Sequence, residues 1–396
     1  MPARRVYMDY AATTPMDRRV WESMAPFANE TFGNPSSLHQ FGRDARLALD
    51  QARGKVARLI GCPDDEIVFT SGGTESDNLA ICGVALARRE THPHIITSAI
   101  EHHAVIEPCH FLEKQGVKVT ILPVDGYGLV DPQDVADALL PETALVSIMM
   151  ANNEIGTIQP IREIAAMAKE KDVLVHTDAV QACGVVSIDI QDLGVDLLSI
   201  SGHKLYGPKG VGALYVRKGT PLVAQNLGGD QERKKRGGTE NVPGAIGLGM
   251  ACEIALDALD EHPAKLEKLR DSLIAEVLNR ISDTKLNGHP NHRLPGNASF
   301  TFAGADNQSL LINLDLAGIA ASNGSACASG SPQPSHVLPA IGRTEEETRN
   351  ALRLSLGKEN TEDDVEYVVE HLCHAVEKIR GAEKKITDLE MFGGEA

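Results

Sequence analysis

The sequence predicts an α/β protein: a larger domain with a mainly parallel, doubly wound sheet, then a smaller α+β C-terminal domain. Three features predict it. Short apolar runs alternate with helical stripes from about residue 44, as parallel strands and their covering helices do. The pattern changes around residues 255 to 285, where a charged helix opens a second region. At 396 residues the chain is longer than a single hydrophobic core usually supports.

The elements follow in order. Ala45, Leu49, Ala52, Val56 and Leu59 recur at helical spacing and mark one stripe. Ile67 to Thr70 reads as a strand, and Leu79 to Arg88 as the helix after it. His94 to Ser98, Val117 to Leu122, Ala144 to Met150, Val173 to Thr177 and Asp196 to Ile200 supply further strands. Pro263 to Ile281 is the charged helix. Asn297 to Phe302 and Leu352 to Leu356 read as strands of the second region. Thr361 to Arg380 is the last helix, opening on a Thr-Glu-Asp-Asp cluster suited to a helix N-terminus. The polar tail after Gly381 is expected to fray.

Composition narrows the function classes. A formal net charge of -17 argues against a large nucleic-acid or anionic-membrane surface. No apolar run approaches the roughly 18 to 20 residues of a membrane span. Arg4 and Arg5 are followed by no apolar signal region, so a cytoplasmic protein is expected. The seven cysteines include no C-x-x-C pair and are spread along the chain. That argues against a disulfide framework and against a built-in zinc or cluster site. Most of them are expected to be small buried hydrophobes.

Chemistry concentrates where strands end. Ser201-Gly202-His203-Lys204 follows the strand at Asp196 to Ile200, with Gly202 and Gly207 on either side of the lysine. Upstream, the strand Val173 to Thr177 delivers Asp178. A lysine amine can condense with the aldehyde of pyridoxal phosphate, and an aspartate can pair with its ring nitrogen. Ligands in open parallel sheets bind along the C-terminal strand edge, where both residues would stand. Thr70-Ser71-Gly72-Gly73-Thr74 lies between a strand and a helix, an anion cup suited to a phosphate, although a plain N-cap loop reads the same way.

Other candidates are looser. His102, in Glu101-His102-His103, could lie over a cofactor ring or belong to a surface pair; with His92 and His94 it has no metal-ligand spacing. Arg233-Lys234-Lys235-Arg236 would ordinarily be solvated, but Gly237-Gly238-Thr239-Glu240-Asn241 behind it suggests another phosphate contact. Ser322 to Pro332 has almost no large side chain, so it reads as a mobile, exposed loop. Its Cys327 is a nucleophile candidate, with a chance surface cysteine as the alternative. Leu352, Leu354 and Leu356 would face a core, while Arg353 faces the other way and could clamp a carboxylate.

These residues sit in a longer series of motifs. They are YMDYAATTP (residues 7–15), FGNPSSLH (32–39), FTSGGTESDN (69–78), EHHAV (101–105), ANNEIGTIQP (151–160) and HTDAVQ (176–181). SGHKLYGPKGVGALYV (201–216), GTEN (238–241), GSAC (324–327), PSHVL (334–338) and RLSLG (353–357) complete it. In this order they resemble the NifS/IscS-type cysteine desulfurases, fold-type I pyridoxal-phosphate-dependent transferases. The resemblance implies a large cofactor-binding domain over 14–258. Residues 1–13 and 259–396 would then form a small domain carrying the active-site cysteine loop at about 322–335.

It also implies roles. Lys204 would carry the cofactor and shuttle the substrate's α proton. Asp178 would hold the ring nitrogen protonated, Gln181 would bond the ring's phenolic oxygen, and His102 would stack on the ring. Gly73, Thr74, Ser201 and His203 would hold the phosphate, with Thr239 reaching over from the second subunit of a homodimer. Asn153 and Arg353 would orient L-cysteine, and Cys327 would take its sulfur as a persulfide. An iron–sulfur scaffold of the IscU/NifU type is the implied acceptor; whether Cys327 ligates a transferred cluster is left open. One departure is visible: the family usually has glycine where this chain has Lys234. Alternatives are a selenocysteine lyase or another β-eliminating relative, and a non-catalytic assembly partner, against which intact Lys204, Asp178, His102 and Cys327 argue.

Overall fold

The computed structural model describes residues 4–323 and 335–392, with side chains up to residue 382. Among the described residues, twelve strands form three sheets. In chain order they are β1 (Val6–Tyr7), β2 (Ile67–Thr70), β3 (His94–Ser98), β4 (Lys118–Leu122), β5 (Thr143–Ser147) and β6 (Leu174–Asp178). Then come β7 (Leu197–Ser201), β8 (Gly212–Val216), β9 (Thr284–Asn287), β10 (Asn297–Phe302), β11 (Ile319–Ala320) and β12 (Ala351–Ser355).

The main sheet has the order β2-β8-β7-β6-β5-β3-β4. Its β3 to β7 pairings are parallel, and only β8 runs antiparallel to both its neighbours. The expected doubly wound sheet is present, with most strand positions as read. Strand β8 was not among those read as strands: Gly-Ala-Leu-Tyr-Val looks like the end of a glycine-rich loop, and only pairing with β2 and β7 makes it a central strand. β3, β5, β7 and β8 are buried along their whole length. By contrast the edge strand β4 keeps Lys118 and Ile121 exposed, which fits a strand paired on one side only.

Helices Gln40–Ile60 and Val242–Asp257 pack together on one face. Leu49, Ala52, Val56, Leu248 and Ala251 share that core. The two helices touch closely: a Cβ on Gly249 would lie 2.8 Å from Ala52 Cα. Helices Gly73–Arg88 and His103–Glu113 cover the other face through Leu79, Ile81, Val105 and Leu112. Each fully buried branched aliphatic contributes roughly 1.5–3 kcal/mol of transfer free energy, so two such layers hold the strand ends in place.

The second region is an antiparallel sheet, β12-β10-β9, with its own apolar cluster. Leu352, Leu354 and Leu356 point into that cluster with Phe300, Leu273 and Val369. Helix His262–Arg280 packs on helix Glu362–Phe392. The last helix continues to Phe392, past the Gly381 where fraying was expected. The N-terminal segment joins this region: β1 pairs with β11, and Asp9 bridges to Ser355. No single helix among the described residues is long and apolar enough to cross a membrane.

Candidate active site

Adjacent strands β6 and β7 pair in parallel, with Asp178 opposite Ser199. Their C-terminal ends therefore deliver two side chains to one place. Asp178 closes β6, and its Oδ1 accepts a hydrogen bond from the Val180 N–H at 2.9 Å. Past β7 a short turn, Gly202–Lys204, swings Lys204 over the sheet edge. The turn is tight: Gly207 donates to the Gly202 carbonyl at 3.0 Å, and a Cβ on Gly207 would come within 2.7 Å of that oxygen. Lys204 Nζ donates to the carbonyls of Ala11 and, at 2.8 Å, Ala12.

The cup forms where β2 runs into helix Gly73–Arg88. No side chain caps this helix, so its first N–H groups and its partial positive charge are directed at the cavity. Gly72 has φ +151°, a backbone only glycine adopts without strain. Behind it, a Cβ on Gly212 would lie 2.7 Å from Gly72 Cα. Ser201 and His203 complete the cup. Burial, then Lys204 and Lys209, push His203 down to about 4, so its imidazole is neutral.

His102 caps helix His103–Glu113. Its Nδ1 accepts from the Ala104 N–H at 3.1 Å, which leaves the ring proton on Nε2. Burial first, then Lys204, His103 and His336, hold it down to about 4. Arg353 rises from β12 on the face opposite the leucines and is 2% exposed. It donates to the Asn153 carbonyl at 2.8 Å and to Asp9 Oδ1 at 2.9 Å. An incoming carboxylate would share this guanidinium with Asp9 or replace it there. Gln181 Nε2 donates to the Ala11 carbonyl at 3.0 Å.

Ten of the residues singled out in the sequence line one cavity of ≈ 180 Å³: Gly73, Thr74, His102, Asn153, Asp178, Gln181, Ser201, His203, Lys204 and Arg353. Thr239 is exposed and is not part of that lining. Cys327 lies outside the described residues. Where the described chain resumes, Ser335 Oγ donates to buried Glu154 at 2.6 Å, beside Asn153. Five lining residues were not foreseen: Ala11, Ala12, Asp77, Met149 and Val180. Ala11 and Ala12 belong to the small-residue run before Thr13 and Thr14, whose lack of bulk was the available signal. Asp77 sat within the FTSGGTESDN motif but carried no mark to distinguish it from a surface helix residue.

A family model for class-V aminotransferases matches residues 6–368. The chain belongs to the class-V aminotransferase family. A Dictyoglomus turgidum protein named cysteine desulfurase IscS is 55% identical over 377 residues, covering 95% of this chain and 96% of that relative. A solved NifS-like protein superimposes with a TM-score of 0.89 at 40% identity, covering 94% of this chain and 100% of that one. Another structure, SspA in complex with cysteine, gives a TM-score of 0.79 at 41% identity over 89% of this chain and 98% of that one.

Class-V aminotransferases are pyridoxal-phosphate enzymes, and the charges in this cavity suit one. Burial, opposed by the Val180 N–H and by Lys204, pushes Asp178 up to about 6. It is therefore an anion near neutrality, beside an amine and across from an uncapped helix end. Such a cavity accepts a molecule with an anionic end, an electrophilic carbon and a cationic ring edge.

Proposed function

We propose that the chain is a pyridoxal-phosphate-dependent L-cysteine desulfurase. It takes sulfur from L-cysteine, leaves L-alanine, and holds the sulfur as a persulfide on Cys327 for delivery to acceptors. The observation that carries this reading is the convergence of Lys204, Asp178, His102, Asn153 and Arg353 on one cavity with the uncapped helix at Gly73. Curated relatives named cysteine desulfurase, similar along nearly the whole chain, support it.

Bound here, the cofactor supplies an electron sink for the substrate's α carbon. Lys204 Nζ would hold it and then move the α proton. Asp178 would keep a proton on the ring nitrogen, and Gln181 would bond the phenolic oxygen. Gly73, Thr74, Ser201 and His203 would hold the phosphate. His102, with its proton on Nε2, would cover the ring. Arg353 and Asn153 would orient the substrate carboxylate and amine. The Cys327 thiolate would attack the substrate sulfur, the sulfur–Cβ bond would break towards carbon, and protonation would give alanine. The other six cysteines are buried or half-buried, and burial pushes Cys62, Cys109 and Cys183 up to about 12. Thiols so held are poor nucleophiles.

On the same reading, residues 14–258 form the cofactor domain and the rest the small domain. The protein works as a cytoplasmic homodimer, Thr239 contacts the partner's phosphate, and an iron–sulfur scaffold of the IscU/NifU type takes the sulfur. Wild type and Cys327→Ala, both loaded with pyridoxal phosphate, should be equally yellow. Only the wild type should release sulfide and alanine from L-cysteine in the presence of a thiol reductant. Wild-type sulfide rates from the variant would refute the assignment of Cys327.

A further inference from the structure

Asp77 is a buried carboxyl that the mechanism above leaves without a task. It lies one turn into helix Gly73–Arg88, is 1% exposed, and lines the cavity. Its Oδ1 has no hydrogen-bond partner among the described residues. His176 Nε2 stands 3.6 Å from that oxygen. His176 and Asp178 are two residues apart on β6, so both project from the same face.

The histidine is already occupied. Its Nδ1 is 2.8 Å from Ser147 Oγ and its Nε2 is 2.9 Å from Ser199 Oγ. Burial pushes it down to about 3, so it meets Asp77 as a neutral ring. Asp178 and Glu101 are the other carboxyls facing Asp77. Burial first and then Asp178 push Asp77 well above the usual carboxylate range; Ser199 acts against them and Glu101 with them. Asp178 differs, because it accepts the Val180 N–H and faces Lys204. Both contacts favour its charge.

Two buried carboxyls lining one cavity cannot both ionise cheaply. We propose that Asp77 is the neutral member of a carboxyl pair with Asp178, a positioning residue that leaves Asp178 the single negative charge at that end of the cavity. This rests on the assignment of Asp178 to the cofactor's ring nitrogen. A second ionised carboxylate there would hold the cofactor ring in competition with Asp178. A neutral Asp77 instead fills the space beside His176 without adding charge.

The sign of the linkage gives the test. A carboxyl neutral in the fold but ionised when unfolded costs stability as pH rises through its window. Asp77→Asn removes that cost. In the full-length, cofactor-free protein, the variant should therefore melt above wild type at about pH 8, with the difference vanishing towards about pH 4. Affinity for pyridoxal phosphate should stay within about threefold, while Asp178→Asn loses about tenfold or more, as expected for a charged hydrogen bond. The infrared difference between wild type and Asp77→Asn should show a protonated carboxyl.

An Asp77→Asn protein that melts below wild type at about pH 8, or a carboxylate band in the infrared difference, would mean that Asp77 is ionised against a charged His176. An affinity loss equal to that of Asp178→Asn would assign the anion's task to Asp77. Either result overturns the proposal. If Asp178→Asn binds pyridoxal phosphate like wild type, the ring-nitrogen assignment fails instead. The melting profile and the infrared band still decide the protonation of Asp77.

Discussion

Glu232→Ala should be among the most damaging substitutions outside the cavity. Arg53 and Glu232 form a buried bidentate pair, with N–O distances of 2.7 and 2.8 Å and both side chains at most 4% exposed. Glu232 also accepts the Phe69 N–H at 2.9 Å. Removing the carboxylate leaves a guanidinium and an edge-strand N–H of β2 without it, at a cost of about 3–5 kcal/mol for an orphaned buried charge. With an unfolding entropy of about 2.1 cal/mol/K per residue, a chain this long melts about 1 °C lower per 1 kcal/mol lost, so the midpoint should fall by about 4–6 °C.

The loop around Glu232 adds a functional consequence. Glu232, Arg233 and Lys234 all have left-handed φ, between 45° and 65°, and the ion pair holds this strained turn seven residues before Thr239. Cofactor affinity should therefore weaken in Glu232→Ala even though no cavity residue has changed. Calorimetry with and without pyridoxal phosphate reads both effects. The double variant Arg53→Met, Glu232→Leu, which removes both charges, should recover most of the stability. A Glu232→Ala midpoint within about 1 °C of wild type would refute the claim that this pair holds the turn.

Further outcomes follow from the same structure. Lys234→Gly should stabilise the protein by about 0.5–1 kcal/mol, since a left-handed residue with a Cβ costs about 1–2 kcal/mol and glycine returns part of that as entropy; urea unfolding checks it. Arg353→Lys should raise KM for L-cysteine by about tenfold or more through loss of the two-pronged contact, with a smaller change in kcat. Burial, opposed by Ser98 and the Met149 N–H, holds the Glu101 carboxyl up to about 8. Its contribution to stability is therefore full at acid pH and lost as pH rises through that value. Glu101→Gln should flatten the melting profile between the ordinary carboxylate range and about pH 8, and leave its slope above that unchanged.

The strand ends were legible because their signals are local. An apolar run followed by Asp178, or by Ser201 to Lys204, needs no knowledge of distant residues to read as a site on a sheet edge. Arg353 was legible for the same reason, from the alternation of leucines around it. What faces these residues was not. Lys204 finds its carbonyl acceptors at Ala11 and Ala12, and Arg353 pairs with Asp9. Each contact joins parts of the chain far apart in sequence, and no periodicity encodes them.

Asp77 escaped notice because its burial comes from a helix packing on five strands of the sheet rather than from its own surroundings in sequence. The charge run at Arg233 to Arg236 misled in the opposite sense. It looks solvated, yet Arg236 pairs with Glu75 at 2.8 Å in the first turn of the cup helix. Lys234, placed where the resembled family usually has glycine, stands in a left-handed conformation, which gives that departure a physical meaning.

The central claim is that sulfur from L-cysteine arrives on Cys327. Mass spectrometry of peptides from the cofactor-loaded protein, after brief exposure to L-cysteine without reductant, tests it most directly. The peptide bearing Cys327 should gain the mass of one sulfur atom, reversibly with a thiol, together with one equivalent of alanine. Added sulfur on Cys62 or Cys373 instead, or alanine formed with Cys327 unmodified, would contradict the account.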